Sequence, residues 1–146
     1  GSSQRRRAIY PCGFMNKLLL LSFPYKTDAE GNTFPVVPLS LKFGHKKKEF
    51  FALVDSGATI SIFRSEVADS LGINVNSGKE IYLGGVGGRI KGYIHKLEVE
   101  IAGKQFVCPV VFSYEYLVSF NLLGRDVFFE QFRIIFEEKK NNLILE

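Results

Sequence analysis

Apolar positions along this chain recur mostly at every second residue, in short runs broken by glycine, asparagine and charged clusters. In the span 36–43, Val37, Leu39, Leu41 and Phe43 alternate with the residues between them, the period of a strand with one buried face. The span 50–55 is almost unbroken apolar, which predicts a strand covered on both sides. Spans 17–23, 59–63, 80–83, 89–94, 97–101, 105–112, 120–123, 132–136 and 143–145 read as further short strands. Between them stand turn signals. Residues 27–33 hold Asp28 and Gly31-Asn32 and read as a loop, Lys46-Lys47-Lys48 reads as a charged hairpin turn, and Ala102-Gly103-Lys104 and Lys139-Lys140-Asn141-Asn142 read as hairpin tips.

Two spans carry helix signals. In 65–71, Ser65 is placed to cap, Glu66 lies in the first turn and Gly72 ends the run. Residues 125–131 form a second short candidate. Many short strands joined by glycine and asparagine turns indicate an all-β barrel or sandwich. No internal repeat or linker divides the chain, so residues 15–146 read as one domain. Residues 1–14 read as a tag-like, disordered N-terminal segment: Gly1-Ser2-Ser3 looks like a cloning remnant, and Met15 is the sole methionine.

Composition narrows the classes. The chain has 146 residues, with 14 Phe, 6 Tyr and no Trp, enough apolar mass for a core without staples. Two cysteines, Cys12 and Cys108, make neither a disulfide framework nor a zinc motif, which favours a reducing compartment. A net charge of +4 comes largely from Arg5-Arg6-Arg7 and Lys46-Lys47-Lys48. These clusters read as a solvated tail and a turn, so no nucleic-acid partner is expected. No run approaches the roughly 18 apolar residues of a membrane helix, and no secretory signal is visible. No membrane partner is expected, and a cytoplasmic location follows from the same missing signals.

The informative pentad is Asp55-Ser56-Gly57-Ala58-Thr59, directly after the apolar run Phe51-Ala52-Leu53-Val54. A carboxylate set at the end of a buried strand is costly unless bonded, neutralised or paired. Gly57 lets another chain approach closely, and the Ser56 hydroxyl can bond backbone groups across a tight turn. Standing alone, Asp-Ser-Gly reads more simply as a turn at a strand end.

The wider context shifts that weighting, because the chain resembles the retropepsin family, the single-lobed aspartic proteases typified by retroviral proteases. Three segments carry the resemblance in the family's order. Ala52-Leu53-Val54-Asp55-Ser56-Gly57-Ala58 is similar to the catalytic loop. The glycine hairpin Gly84, Gly85, Val86, Gly87 and Gly88 stands at the place of the flap. Leu122-Leu123-Gly124-Arg125-Asp126 resembles the apolar-apolar-Gly-Arg element before the family's C-terminal helix.

The resemblance covers about residues 36–136. It implies an acid-protease-like β-barrel, closed or partly closed, with a flap hairpin and one or two short helices. It also implies roles. Asp55 is then the catalytic acid, and Ser56 holds the dyad through a hydroxyl–backbone lattice across a dimer. Gly57 offers its carbonyl to the substrate, with Ala58 and Thr59 completing the loop. Gly84–Gly88 close over the cleft, Leu122, Leu123 and Gly124 pack beneath the loop, and Arg125 braces it. Thr59 and Ile60 stand where retroviral members carry acidic partners for that arginine, so Arg125 is expected to bond elsewhere, with Asp126 at hand. The N-terminal segment and residues 142–146 do not match the retroviral interface strands, so the dimer is expected to be built differently.

The chemistry agrees with the resemblance. Two carboxylates in one site share a proton, the ionised one activating a water and the protonated one polarising a carbonyl, which implies an acidic optimum. No metal or cofactor is needed. Asp-(Ser/Thr)-Gly occurs once in the chain, so the second carboxylate is expected from a homodimer partner, Asp55 facing its symmetry mate. The expected activity is endopeptidase cleavage of an extended peptide or protein substrate. Ser56 as a nucleophile lacks a base placed by any motif, since His45 lies in a lysine-rich turn and His95 follows a hairpin. A phosphate cradle at the glycine cluster would need a helix where Arg89-Ile90-Lys91 continues as strand. The strongest alternative is a catalytically inactive module of the same fold that binds extended peptides or serves structurally.

Overall fold

The computed structural model describes residues 21–85 and 87–146, so residues 1–20, including the tag-like segment and the start of the first expected strand, lie outside the described residues. In chain order the strands are β1 (Leu21–Pro24), β2 (Lys26–Thr27), β3 (Thr33–Phe34), β4 (Val36–Phe43), β5 (Lys46–Val54), β6 (Ser61–Arg64), β7 (Lys79–Gly85), β8 (Gly88–Ile101), β9 (Lys104–Ser113), β10 (Asn121–Leu123), β11 (Ile134–Glu137) and β12 (Asn142–Leu145). Helix α1 spans Ser65–Leu71 and α2 spans Phe128–Gln131. The backbone falls into two compact units, residues 37–128 and residues 21–36 with 129–146.

The larger unit is an all-β ring. Neighbours run β4-β5-β10-β6-β9-β8, and β8 returns to β4 through Ser40↔Glu100, Leu41↔Val99 and Lys42↔Glu98. Closure removes the open edges that a flat sheet would expose to other chains. The pairing is mixed: β10 runs parallel to β5 and antiparallel to β6, and β6 runs parallel to β9. Strand β7 bonds only to the outer half of β8, from Lys79↔Ile94 to Gly85↔Gly88, so β7 and the start of β8 form a hairpin projecting from the ring. The alternation read from the sequence fills the interior: Val37, Leu39 and Leu41 of β4 are buried, as are Leu97, Val99 and Ile101 of β8. Phe63, Phe112 and Phe128 are fully enclosed. Each such side chain contributes roughly 1.5–3 kcal/mol by leaving water.

Three local expectations are corrected. The apolar run of β5 is covered on one face only: Ala52 and Val54 are buried, whereas Phe51 is 50% exposed. The turn before β5 is Gly44-His45, with Gly44 at φ 61°, and Lys46, Lys47 and Lys48 belong to the strand, which begins earlier than its apolar part. Ser65 does not cap α1. Arg64 holds the capping position with extended backbone and makes no side-chain cap bond, while Ser65 is already helical. The helix stop is as expected: Gly72 turns left-handed at φ 73°, and the Ile73 N–H reaches the Ala68 carbonyl at 2.9 Å. Val67, Ala68 and Leu71 form the buried stripe of α1, which packs on β5, β6 and β9.

The smaller unit holds a three-stranded antiparallel sheet, β1-β12-β11, with Leu21↔Leu145 and Ile134↔Leu145 on either side of β12. The expected loop at 27–33 is present over residues 28–32, and its end residues Thr27 and Thr33 pair as part of β2 and β3. Asp28 organises the bend, its Oδ1 accepting the Glu30 N–H at 3.0 Å and the Asn32 N–H at 2.9 Å. Tyr25 is buried beside it and donates its hydroxyl to Glu138 Oε2 at 2.7 Å.

Candidate active site

Asp55 is the first residue beyond β5, where the strand leaves the ring and turns. Its own backbone fixes the departure: the Asp55 N–H donates to the Leu123 carbonyl at 3.0 Å, extending the parallel β5–β10 ladder by one step. The chain then folds back, and the Ala58 N–H reaches the Asp55 carbonyl at 3.2 Å. Inside this turn the carboxylate oxygen Oδ1 accepts the Gly57 N–H at 2.9 Å. A side chain at 57 would crowd that oxygen, since a Cβ there lies 3.3 Å from it. Asp55 is partly exposed, and Ser56 and Gly57 are exposed at the tip. The carboxylate is therefore held in place without being sealed from solvent.

The loop is sewn to the segment after β10 by a run of bonds. Arg125 N–H donates to the Ala58 carbonyl at 2.9 Å and Asp126 N–H to the Thr59 carbonyl at 2.7 Å. Gly124 N–H donates to Ser61 Oγ at 3.0 Å, and Ser61 is fully buried. The two chains touch so closely that a Cβ on Gly124 would lie 2.5 Å from the Ile60 carbonyl oxygen and 2.6 Å from its carbon. No side chain fits there, which accounts for glycine in Leu122-Leu123-Gly124. Leu123 is buried and Leu122 is half-buried, paired with Ile62 of β6. Arg125 is exposed; its guanidinium donates to Thr59 Oγ1 at 3.3 Å, so a threonine hydroxyl stands where the retroviral pattern has a carboxylate.

Further groups near the loop escaped sequence reasoning. Asn121, at the start of β10, accepts the Arg64 N–H through Oδ1 at 2.9 Å and donates to the Phe51 carbonyl at 3.0 Å, tying β5 to β6. Tyr116, in the loop between β9 and β10, donates its hydroxyl to the Phe120 carbonyl at 2.7 Å. Burial, and then the negative charge of Asp55, push its phenol up to about 12. Neither residue belongs to a motif, and only an aromatic or amide between a barrel strand and the glycine-arginine element hinted at them.

The hairpin carries Gly84, Gly85, Gly87 and Gly88, none with any atom within 4 Å of a would-be Cβ, so these glycines stand in open space; Val86 lies outside the described residues. One face of the hairpin presents Ile81, Leu83 and Ile90, partly buried. The other presents Tyr82 with the Arg89 guanidinium 4.8 Å from its ring centre. The strand–tip–strand geometry rules out a phosphate cradle opening a helix. His95 is engaged by the Val75 carbonyl at 2.8 Å and packs edge-on against Phe112, a structural setting far from that of a catalytic base.

Compared with known proteins, residues 37–127 match the sequence-family model described as aspartyl protease. No curated protein matches the chain. The matched span begins in β4, includes the Asp55 loop and the hairpin, and ends just past the Gly124-Arg125 element, so it covers the ring and every segment assembled above.

Proposed function

The chain belongs to the aspartyl protease family, and from that premise we propose that it works as a homodimeric aspartic endopeptidase with Asp55 and its symmetry mate as the catalytic dyad. One observation carries the reading. The single Asp-Ser-Gly of the chain stands at the mouth of a closed ring, its carboxylate pinned by Gly57, its tip exposed and its base sewn to Gly124-Arg125. A lone carboxylate so placed is half of the machinery, and an isologous contact through the exposed tip supplies the other half.

In the dimer the two carboxylates hold one proton between them. The ionised one takes a proton from a water as the water oxygen bonds to the scissile carbonyl carbon. The protonated one gives its hydrogen to the carbonyl oxygen. The resulting gem-diol collapses as the amide nitrogen gains a proton and the C–N bond breaks. Gly57 and the arms of the hairpin supply backbone groups for an extended substrate, in the manner of strand addition. Leu122 and the apolar hairpin face favour apolar residues next to the cleaved bond.

The test is digestion of a peptide library across pH, with and without a pepstatin-type inhibitor, by the wild-type protein and by Asp55→Asn. Cleavage should be inhibitor-sensitive and fall at least a thousandfold in the variant, while the circular dichroism spectrum is unchanged. Undiminished cleavage by the variant would sink the assignment of Asp55.

A further inference from the structure

The projecting hairpin leaves the ring at a definite residue. The β8–β9 ladder runs from Ile101↔Lys104 to Tyr93↔Phe112 and stops there, because β9 ends at Ser113. Strand β8 extends further outward, to Gly88. Just past the end of the ladder, side chains take over from the missing strand. The Lys91 N–H donates to Glu115 Oε1 at 2.9 Å, and the Lys91 carbonyl accepts the Ser113 hydroxyl. The Glu115 N–H donates to Ser113 Oγ at 3.1 Å, which closes the clip on itself. Ser113 is fully buried, whereas Glu115 is exposed. At the neighbouring position Gly92 is wedged against β9: a Cβ there would lie 2.6 Å from Val111 Cγ1 and 3.2 Å from the Phe112 carbonyl oxygen. Beyond Lys91 the glycines of the hairpin stand in open space.

We propose that Ser113 and Glu115 are positioning residues that set the pivot of the hairpin, and through it the capture of substrate. A strand-to-strand ladder can be released only by breaking the sheet. A clip made by one buried hydroxyl and one exposed carboxylate can be released in part, because water replaces the Glu115 bond while Ser113 and the Gly92 contact keep the arm in register. Bending is thereby confined to Lys91 and the residues outward of it, where Gly84, Gly85, Gly87 and Gly88 stand in open space. The consequence for catalysis rests on the protease reading; the position of the pivot does not.

Hydrogen exchange of the intact protein separates the two. In Glu115→Ala the Lys91 amide loses its acceptor and should exchange at least tenfold faster, with amides of β9 and β10 unchanged. Glu115→Gln retains an oxygen acceptor and should recover most of the protection. On a cleaved peptide, Glu115→Ala should raise KM several-fold with kcat within twofold, and Glu115→Gln should lie near wild type. Equal protection of Lys91 in wild type and Glu115→Ala overturns the proposal, as does a loss confined to kcat that Gln does not rescue. Should no peptide be cleaved by any form, exchange at Lys91 alone decides the pivot, and the protease reading falls separately.

Discussion

Gly124 shows how much one absent atom decides. The backbone at Ile60, just after the Asp55 loop, occupies the place where a Cβ on residue 124 would sit, within 2.5 Å, and both partners are main chain, so neither can swing aside. Gly124→Ala must push the two segments apart and break the Gly124–Ser61 bond, leaving a buried hydroxyl short of a partner. Overpacking of this kind costs about 1–3 kcal/mol, and the orphaned polar group a similar amount. The expected outcome is a loss of about 2–5 kcal/mol in denaturant unfolding, with cleavage lost before the fold is. A neutral Gly124→Ala would mean that the contact relaxes freely. Tyr25 provides a second residue-scale test. Burial, then the bond to Glu138 and its charge, push this phenol from 10.0 up to about 12. The folded protein thus keeps the proton where the unfolded chain gives it up, so the stability is complete below pH 10 and falls as pH rises from about 10 to 12. The loss stays below about 3 kcal/mol. Tyr25→Phe should flatten that part of the alkaline unfolding curve, although Tyr116 leaves a residue of it.

At the scale of elements, the ring closes where β8 meets β4, and Lys47 of β5 reaches Glu100 of β8 near that seam, Nζ to Oε1 2.7 Å. The Lys47 ammonium, by its hydrogen bond and its charge, holds the Glu100 carboxyl below its usual range. A depressed acid contributes stability above its unfolded pKa and loses it as pH falls through the folded value. Both side chains are substantially solvated, so the pair contributes little and should weaken with salt. Glu100→Gln should therefore lower the thermal midpoint by only a degree or two and remove its salt dependence; a large loss would show that closure depends on this pair rather than on backbone ladders. The elements themselves were largely legible in the sequence, because a period of two reports a strand with one buried face whatever the topology. Residues 36–43 show it. What was not legible came from partners distant in the chain. Nothing local in Phe51 says that its side of β5 is open, and the unbroken apolar run suggested two covered faces. The lysines at 46–48 looked like a turn because their strand partners are invisible in the sequence. Of the candidate site, the Asp55 loop and the Gly124-Arg125 element were legible as motifs, but the bonds that sew them together were not. Ser61, Asn121 and Tyr116 could be found only once β5, β6 and β10 were brought side by side.

On the scale of the whole molecule, the proposed activity belongs to no single chain. Each described chain brings one Asp-Ser-Gly, exposed at its tip, and both flanks of β12 are already occupied, by β1 and β11 of its own chain. A shared catalytic centre has a consequence that an enzyme complete within one chain does not. If Asp55→Asn folds and pairs like the wild type, mixed dimers hold one carboxylate and one amide and cannot share a proton between two acids. Equal amounts of wild-type and variant chain, exchanged to equilibrium at fixed total concentration, should then retain about a quarter of the wild-type activity, because only about a quarter of the dimers carry two aspartates. A chain acting alone would retain half. The same reasoning makes specific activity fall on dilution through the dimer dissociation constant, and the two curves must agree on that constant. Retention in direct proportion to the wild-type fraction at every mixing ratio, with specific activity constant on dilution, would assign the whole reaction to one chain and require a second acid from within it.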